Sequence, residues 1–262
     1  MPDIWKILII DPMVNSLLFL YQLLFNNFTL SITVFTILVR VLTYPLNAQS
    51  QKSSKKMTEL QQSDEWKKMQ EKYAKDREKL SQEQMKLYQH AGVNPFGGCL
   101  PMIIQFPILI GLYQAITLAM AASPVQLFSL SQHLYPFLPN VTNLIPLENH
   151  FLWLNLGLPD PYYVLPVVVV LSTWIQSKVM TPPSADAQAA QMSQTMAIYM
   201  PLMIGWMSLQ FPSGLSLYWV ISNVIGIVQY VITPGAKVDW KNVFSFRRAP
   251  PQPQPAKARK KK

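Results

Sequence analysis

Phe28-Thr-Leu-Ser-Ile-Thr-Val-Phe-Thr-Ile-Leu-Val-Arg40-Val-Leu-Thr-Tyr-Pro45-Leu46 carries a single charged side chain, Arg40, in an otherwise uncharged apolar stretch. A bilayer core needs about 17–25 residues of helix, so this segment is long enough to span one. A guanidinium keeps its charge, and placing one at the centre of a spanning helix costs about 2.5–3.5 kcal/mol on insertion scales. Such a residue normally faces a bundle interior or a watery cavity and marks a pathway or a substrate contact. Snorkelling competes with that reading, because Arg40 lies six residues before Leu46 and its stem is long.

Outward from this stretch the pattern repeats. Hydrophobic residues make up 50% of the chain and charged ones 13%, with the charges concentrated between the apolar runs. The expected fold is an all-α polytopic membrane protein. Residues 1–26 form an N-terminal interfacial amphipathic helix, because the run Leu17–Phe25 is short and ends at Asn26-Asn27. No A-x-A-like site follows that run, which argues against a cleaved signal peptide. Five transmembrane helices follow, at 27–46, 95–122, 162–180, 195–211 and 215–232. Between them lie a cytoplasmic helical hairpin (47–94), an extracytoplasmic loop (123–161) and a short cytoplasmic loop (181–194). A basic tail (233–262) ends the chain.

Basic residues orient the bundle. Of the 22 Lys and Arg, ten lie between Lys52 and Lys86, nine between Lys237 and Lys262, and none between Ser123 and Pro161. Cytoplasmic loops hold the excess of Lys and Arg, so the hairpin and tail are inside and the 123–161 loop outside. Five spans with an outer N-terminus satisfy every loop. The tail is Pro-rich and basic, a composition that favours disorder. Contact with anionic lipid, binding of ribosomal RNA through phosphates, and simple enforcement of topology compete as its use.

No cofactor or metal is expected. Cys99 stands alone, and His90, His133 and His150 are scattered without ligand spacing. No serine is paired with a histidine inside the apolar spans, which disfavours an intramembrane protease. The 47–91 segment contains neither Gly nor Pro, and its good helix formers fold back as a hairpin. Its turn is expected near Lys75–Glu78 or at Ser81, where Ser81-Gln82-Glu83-Gln84 resembles a capping box. The thin apolar stripe suggests a hairpin held by weak contacts, either a passive connector or a receiving arm at the mouth of a cavity.

Polar residues interrupt the spans. Thr36 is one turn before Arg40 and shares its face. Gln105, Gln114, Gln176, Lys178, Asn223 and Gln229 stand in the later spans. Singly such amides are interhelical glue; together with an arginine they permit a wet interior open to the cytoplasm. At seventeen and eighteen residues the last two spans cover about 26 Å, less than the ~30 Å hydrocarbon thickness, which suggests local thinning.

Several motifs then converge. They are Leu38-Val-Arg40-Val-Leu-Thr-Tyr44-Pro45-Leu46, Gly92-Val-Asn94-Pro95-Phe-Gly-Gly98-Cys99-Leu100-Pro101 with Gln105-Phe-Pro107, and Leu112-Tyr113. Pro159-Asp160-Pro161-Tyr162-Tyr163-Val-Leu-Pro166 and Phe211-Pro212-Ser-Gly214-Leu215-Ser-Leu217-Tyr218-Trp219 complete the set. In this order and spacing the chain resembles the YidC/Oxa/Alb membrane-protein insertases from about Asp11 to Ile232. The resemblance implies a five-helix core around a hydrophilic groove, open to the cytoplasm and laterally to lipid and closed outside. It places Arg40 in that groove, attracting acidic groups of the substrate, with Thr36 on the same wall. Gln176, Tyr218 and Trp219 fall where the family has other groove or substrate-contacting side chains.

The implied activity is insertion, not enzymatic conversion. Short hydrophilic segments of nascent membrane proteins would cross through the groove while their apolar helices leave into lipid. Partners implied are those nascent chains, the lipid bilayer, a ribosome through the tail and a Sec-type translocon. Only 26 residues precede the first core span, and no N-terminal lipid-attachment cysteine is found. A compact prokaryotic plasma-membrane insertase is therefore expected. Two other classes compete: an assembly chaperone without insertase activity, and a solute or ion transporter. The transporter lacks support, because no inverted repeat or paired broken helices are visible.

Overall fold

The chain turns sharply at Phe25 and Asn26, both in the left-handed region (φ 56° and 57°), before Asn27 caps the longest helix. The computed structural model describes residues 3–74, 76–94, 97, 100–121, 123–136, 147–180 and 187–233. Helix α1 (Asp3–Trp5), a π-helical turn (Lys6–Ile10) and α2 (Asp11–Leu23) form one N-terminal rod. It is followed by α3 (Phe28–Gln62), α4 (Asp64–Lys72), α5 (Arg77–His90), α6 (Leu100–Ala119) and α7 (Pro124–Ser131). A two-residue-per-strand hairpin, β1 (His150–Phe151) and β2 (Leu154–Asn155), precedes α8 (Val164–Met180), α9 (Ala187–Ser208) and α10 (Ser213–Ile232). The basic tail beyond Thr233, Cys99 and loop residues 137–146 lie outside the described residues.

Among the described residues three helices are long and apolar enough to cross a membrane: Lys6–Leu23, Phe28–Gln62 and Ser213–Ile232. Ile103–Ala119 and Val164–Met180 are shorter apolar helices. The helix expected over 27–46 runs on to Gln62 through Pro45, 35 residues in all. At 1.5 Å per residue it is about 52 Å long, well beyond the ~30 Å thickness of a hydrocarbon core. The last two helices are 22 and 20 residues. The shortness expected of them belongs to their apolar stretches, because polar turns such as Gln188, Gln191 and Gln194 extend α9.

The N-terminal rod is apolar on two faces rather than on one. Val14, Leu17, Leu18 and Tyr21 are buried, while Ile7, Leu8, Phe19 and Leu23 point outward. Its partners gather toward one end of the bundle, in the second half of α6, at the start of α3 and in the loops after α7 and before β1. Trp5 Nε1 donates to Gln114 Oε1 (2.9 Å), and Ile9 and Met13 press on Gly111 of α6. Tyr21 meets Phe28, with ring centroids 6.2 Å apart, and its hydroxyl accepts from Glu148 N (2.9 Å).

That end is sealed. Ile32, Leu112, Ile116, Leu130, Leu156 and Leu215 join the buried rod residues in one core cluster. The loop before α8 is stitched to the start of α10, where Ser213 N donates to Leu158 O (2.8 Å) and Gly214 N to Leu156 O (2.9 Å). A side chain at Gly214 would stand 3.0 Å from that Leu156 oxygen, so the close approach favours glycine. Asp160, 4% exposed, accepts from Leu165 N (2.7 Å), Tyr162 N (3.0 Å) and Trp153 Nε1 (3.1 Å), fixing the start of α8. Asp11 on α2 pairs with His133 Nδ1 at 2.6 Å, and Asn15 donates to His133 O and accepts from Tyr135 N.

At the opposite end the hairpin turns between Tyr73 and Asp76, and the Asp76 carboxylate caps α5 by accepting from Lys79 N (3.2 Å). Ser81 therefore sits inside α5 and caps nothing. Trp66, 1% exposed, packs on Tyr88, whose hydroxyl accepts from Gln61 Nε2. Gly92 (φ 63°) ends α5 in a Schellman turn: Gly92 N reaches Gln89 O and Val93 N reaches Tyr88 O.

Candidate functional site: a polar cavity beside Arg40

Helix α10 presents Tyr218, Ser222, Gly226 and Gln229 at spacings of four and three, which aligns them on one face. That face, with α3, α8, α9 and α6, encloses a cavity of about 480 Å³. Arg40, Asn47, Gln51 and Lys55 line it from α3, Thr173 and Gln176 from α8, and Gln105 from α6. Met180, Met200 and Ile204 supply a softer apolar wall.

Arg40 is held from its own backbone outward. Gln229 Nε2 donates to Arg40 O (3.0 Å), one helical turn before the break in amide donors at Pro45. The Arg40 Nε–H donates to Ser222 Oγ (2.7 Å). None of the ion pairs among the described residues involves Arg40, so its charge has no carboxylate partner there. The terminal N–H donors are left to the cavity. A guanidinium offers five donors in a planar fork, suited to a carboxylate or to several carbonyl oxygens.

Glycine makes room for the neighbouring amide. A Cβ on Gly226 would stand 2.5 Å from Gln176 Nε2 and 3.7 Å from the Arg40 Nη1. Gln105 Nε2 donates to the Tyr218 hydroxyl (2.7 Å), tying α6 to α10. Asn223 Nδ2 donates to Ser172 Oγ (3.0 Å) and Thr173 Oγ1 (2.9 Å), tying α10 to α8. Ser208 and Ser216 hydroxyls bond at 2.6 Å between α9 and α10. These polar pairs hold the walls together while Arg40 and Gln176 face the hollow.

Of the residues expected at the site, Arg40, Gln176, Tyr218 and Trp219 line this cavity. Thr36 does not. It is fully buried, and its hydroxyl donates to Ile32 O (2.6 Å) within its own helix. Thr36 and Arg40 share a face, but Thr36 lies one turn nearer the sealed end, where Ile32 and Tyr218 are packed into the core. Ser222, Gly226, Asn47 and Lys55 are lining residues the sequence did not single out. The four-residue spacing of Ser222 and Gly226 from Tyr218 was the available signal. Among the described residues no three His, Cys, Asp or Glu side chains cluster as metal ligands.

The profile of the family described as 60Kd inner membrane protein matches residues 19–238. Membrane protein insertase MisCA of Bacillus subtilis is 38% identical over 264 residues, covering 99% of this chain and 87% of that protein. Membrane protein insertase YidC 1 of Listeria monocytogenes is 39% identical, covering 87% of this chain and 71% of its own length. A solved structure described as an active YidC insertase with its first transmembrane domain resolved superposes with a TM-score of 0.55 at 26% identity. That match covers 83% of this chain and 45% of the solved one. A chain alike in sequence over nearly its whole length, and alike in fold, belongs to the 60Kd inner membrane protein family of YidC-type insertases.

Proposed function

We propose that this chain is a membrane protein insertase whose cavity receives short hydrophilic segments of nascent membrane proteins and releases their apolar helices into lipid. The observation that carries the reading is the charge of Arg40, without a carboxylate partner among the described residues, on the wall of a polar cavity. The α3 lining runs from Arg40 toward Lys55, that is, toward the Lys-rich hairpin. Lys and Arg excess marks the cytoplasmic side, so the cavity opens inward and the sealed end faces out. Five spans, with the N-terminal rod lying along the outer end where its partners gather, complete that topology.

In this mechanism a carboxylate of the passenger segment is drawn to Arg40. At 4 Å the attraction is about 4 kcal/mol for an effective dielectric near 20, comparable with the cost of holding the charge in the membrane. Gln176 and Trp219 offer hydrogen bonds and aromatic surface to the same segment, and Tyr218, held by Gln105, backs the wall. The closed end leaves only part of the membrane thickness to be crossed. For an acidic segment moving outward the membrane potential helps by about 2.3 kcal/mol per charge per 100 mV. Burial of the passenger's apolar helix in lipid makes the step irreversible.

The test is protease-protected insertion of a single-span substrate with an acidic N-terminal segment into proteoliposomes holding only this protein. Wild type and Arg40→Lys are expected to insert and Arg40→Ala to lose insertion. An Arg40→Ala protein as active as wild type would remove the charge from the mechanism. Folded wild type with no activity above empty liposomes refutes the insertase reading and favours an assembly role.

A further inference from the structure

Three lysines lie along the second half of α3, at 52, 55 and 56, and only Lys55 lines the cavity. Lys52 and Lys56 are exposed, whereas Lys55 is half-buried. Fifteen residues separate it from Arg40 on one continuous helix, about 22 Å of rise and about 60° of rotation beyond four whole turns. The two cations therefore stand on nearly the same face, one deep and one at the mouth. Asn47, Gln51 and Ser54 fill the interval with neutral polar groups. Among these, the Gln51 Oε1 is buried and has no hydrogen-bond partner among the described residues. An orphaned acceptor in a cavity wall marks a place where a donor belongs, because leaving it unmet is costly. A backbone N–H of an extended passenger segment supplies such a donor.

We propose, resting on the insertase reading, that Lys55 is a second substrate-selecting cation, an entry station that binds a passenger carboxylate before Arg40 does. About 22 Å exceeds the ~8 Å screening length at physiological salt, so the two charges act as separate stations. An extended chain covers about 3.3 Å per residue, so about seven residues bridge them. Two carboxylates some seven residues apart occupy both stations at once. Two carboxylates only two residues apart do not reach. Selection by spacing follows, and the Gln51 acceptor holds the chain extended between.

The experiment uses the full chain in proteoliposomes with three single-span substrates. Their hydrophilic segments carry two Asp seven residues apart, two Asp two residues apart, or none. Lys55→Gln is expected to slow insertion of the seven-spaced substrate about fivefold, the scale of one partly exposed ion pair. The closely spaced substrate loses less, the neutral one is unchanged, and Lys55→Arg restores the rate. Lys56→Gln, which removes an equal charge off the cavity, leaves all three rates alone. Equal losses in Lys55→Gln and Lys56→Gln, or equal slowing of charged and neutral substrates, overturn the entry station and leave the insertase reading standing. Wild type that inserts none of the three overturns both.

Discussion

Replacing Asp160 by alanine tests how the sealed end is held. The carboxylate is 4% exposed and meets three donors, Leu165 N at 2.7 Å, Tyr162 N at 3.0 Å and Trp153 Nε1 at 3.1 Å. Alanine leaves the Leu165 amide buried without a partner, a loss of about 1–3 kcal/mol. The other two donors keep some access to water and lose about 0.5–1.5 kcal/mol each. Together these come to about 3 kcal/mol. Asparagine keeps one acceptor oxygen for Trp153 and Tyr162 but turns an amide donor toward Leu165 N, so it recovers about half. At this chain length 1 kcal/mol moves Tm by about 2–4 °C, so Asp160→Ala falls about 6–12 °C in detergent and Asp160→Asn about half that. Thermal unfolding followed by tryptophan emission reads both. A Tm for Asp160→Ala within 1 °C of wild type, or an asparagine variant less stable than the alanine one, refutes this account of the loop.

Gly226→Ala trades a flexible helix position for a better helix former, so Tm is expected to hold or rise by up to about 1 kcal/mol of stability. The new methyl displaces the Gln176 amide, and insertion of an acidic substrate falls severalfold at unchanged Tm. Asp11→Asn and His133→Ala, measured singly and together by chemical unfolding, should show a coupling of about 0.5–3 kcal/mol, since the side chains meet at 2.6 Å. Strict additivity would dissolve that latch. Trp66→Ala empties the hairpin's own small core and is expected to cost about 3–5 kcal/mol locally. Hydrogen exchange should then rise across residues 64–90 and stay unchanged in α10; protection that persists in the hairpin contradicts it.

Arg40 was legible because a lone charge in an apolar run has few physical outcomes, and one of them is a cavity. The helical hairpin was legible from the missing Gly and Pro, and its turn fell where Asp76 could cap. Thr36 shares the azimuth of Arg40 but not its depth. Periodicity gives the face of a helix, but the packing of Ile32 and Tyr218 decides where on that face the core ends. Ser222 and Gly226 were silent for a different reason. Their meaning lies in partners 182 residues away in one case and on a facing helix in the other, and a short side chain or none carries no hint of either. Asp11 and His133, 122 residues apart, were hidden in the same way. The N-terminal segment reads as an interfacial amphipathic helix from its short apolar run; the helix it forms carries apolar residues on a buried face (Val14, Leu17, Leu18) and on an exposed one (Ile7, Leu8, Phe19).

Helix α3 is one rod that begins in the sealed end, carries Arg40 through the cavity wall and finishes as the first arm of the hairpin. Pro45, five residues beyond Arg40, interrupts its amide ladder and is the natural fulcrum. The outer arm from Pro45 to Gln62 is about 26 Å long and the inner arm to Arg40 about 8 Å. A tilt of about 10° that swings the hairpin end by about 4–5 Å therefore moves the arginine by about 1 Å the other way. A displacement of that size separates a bonded guanidinium from Ser222. Whatever grips the hairpin arm thus holds a lever on the charge in the cavity wall.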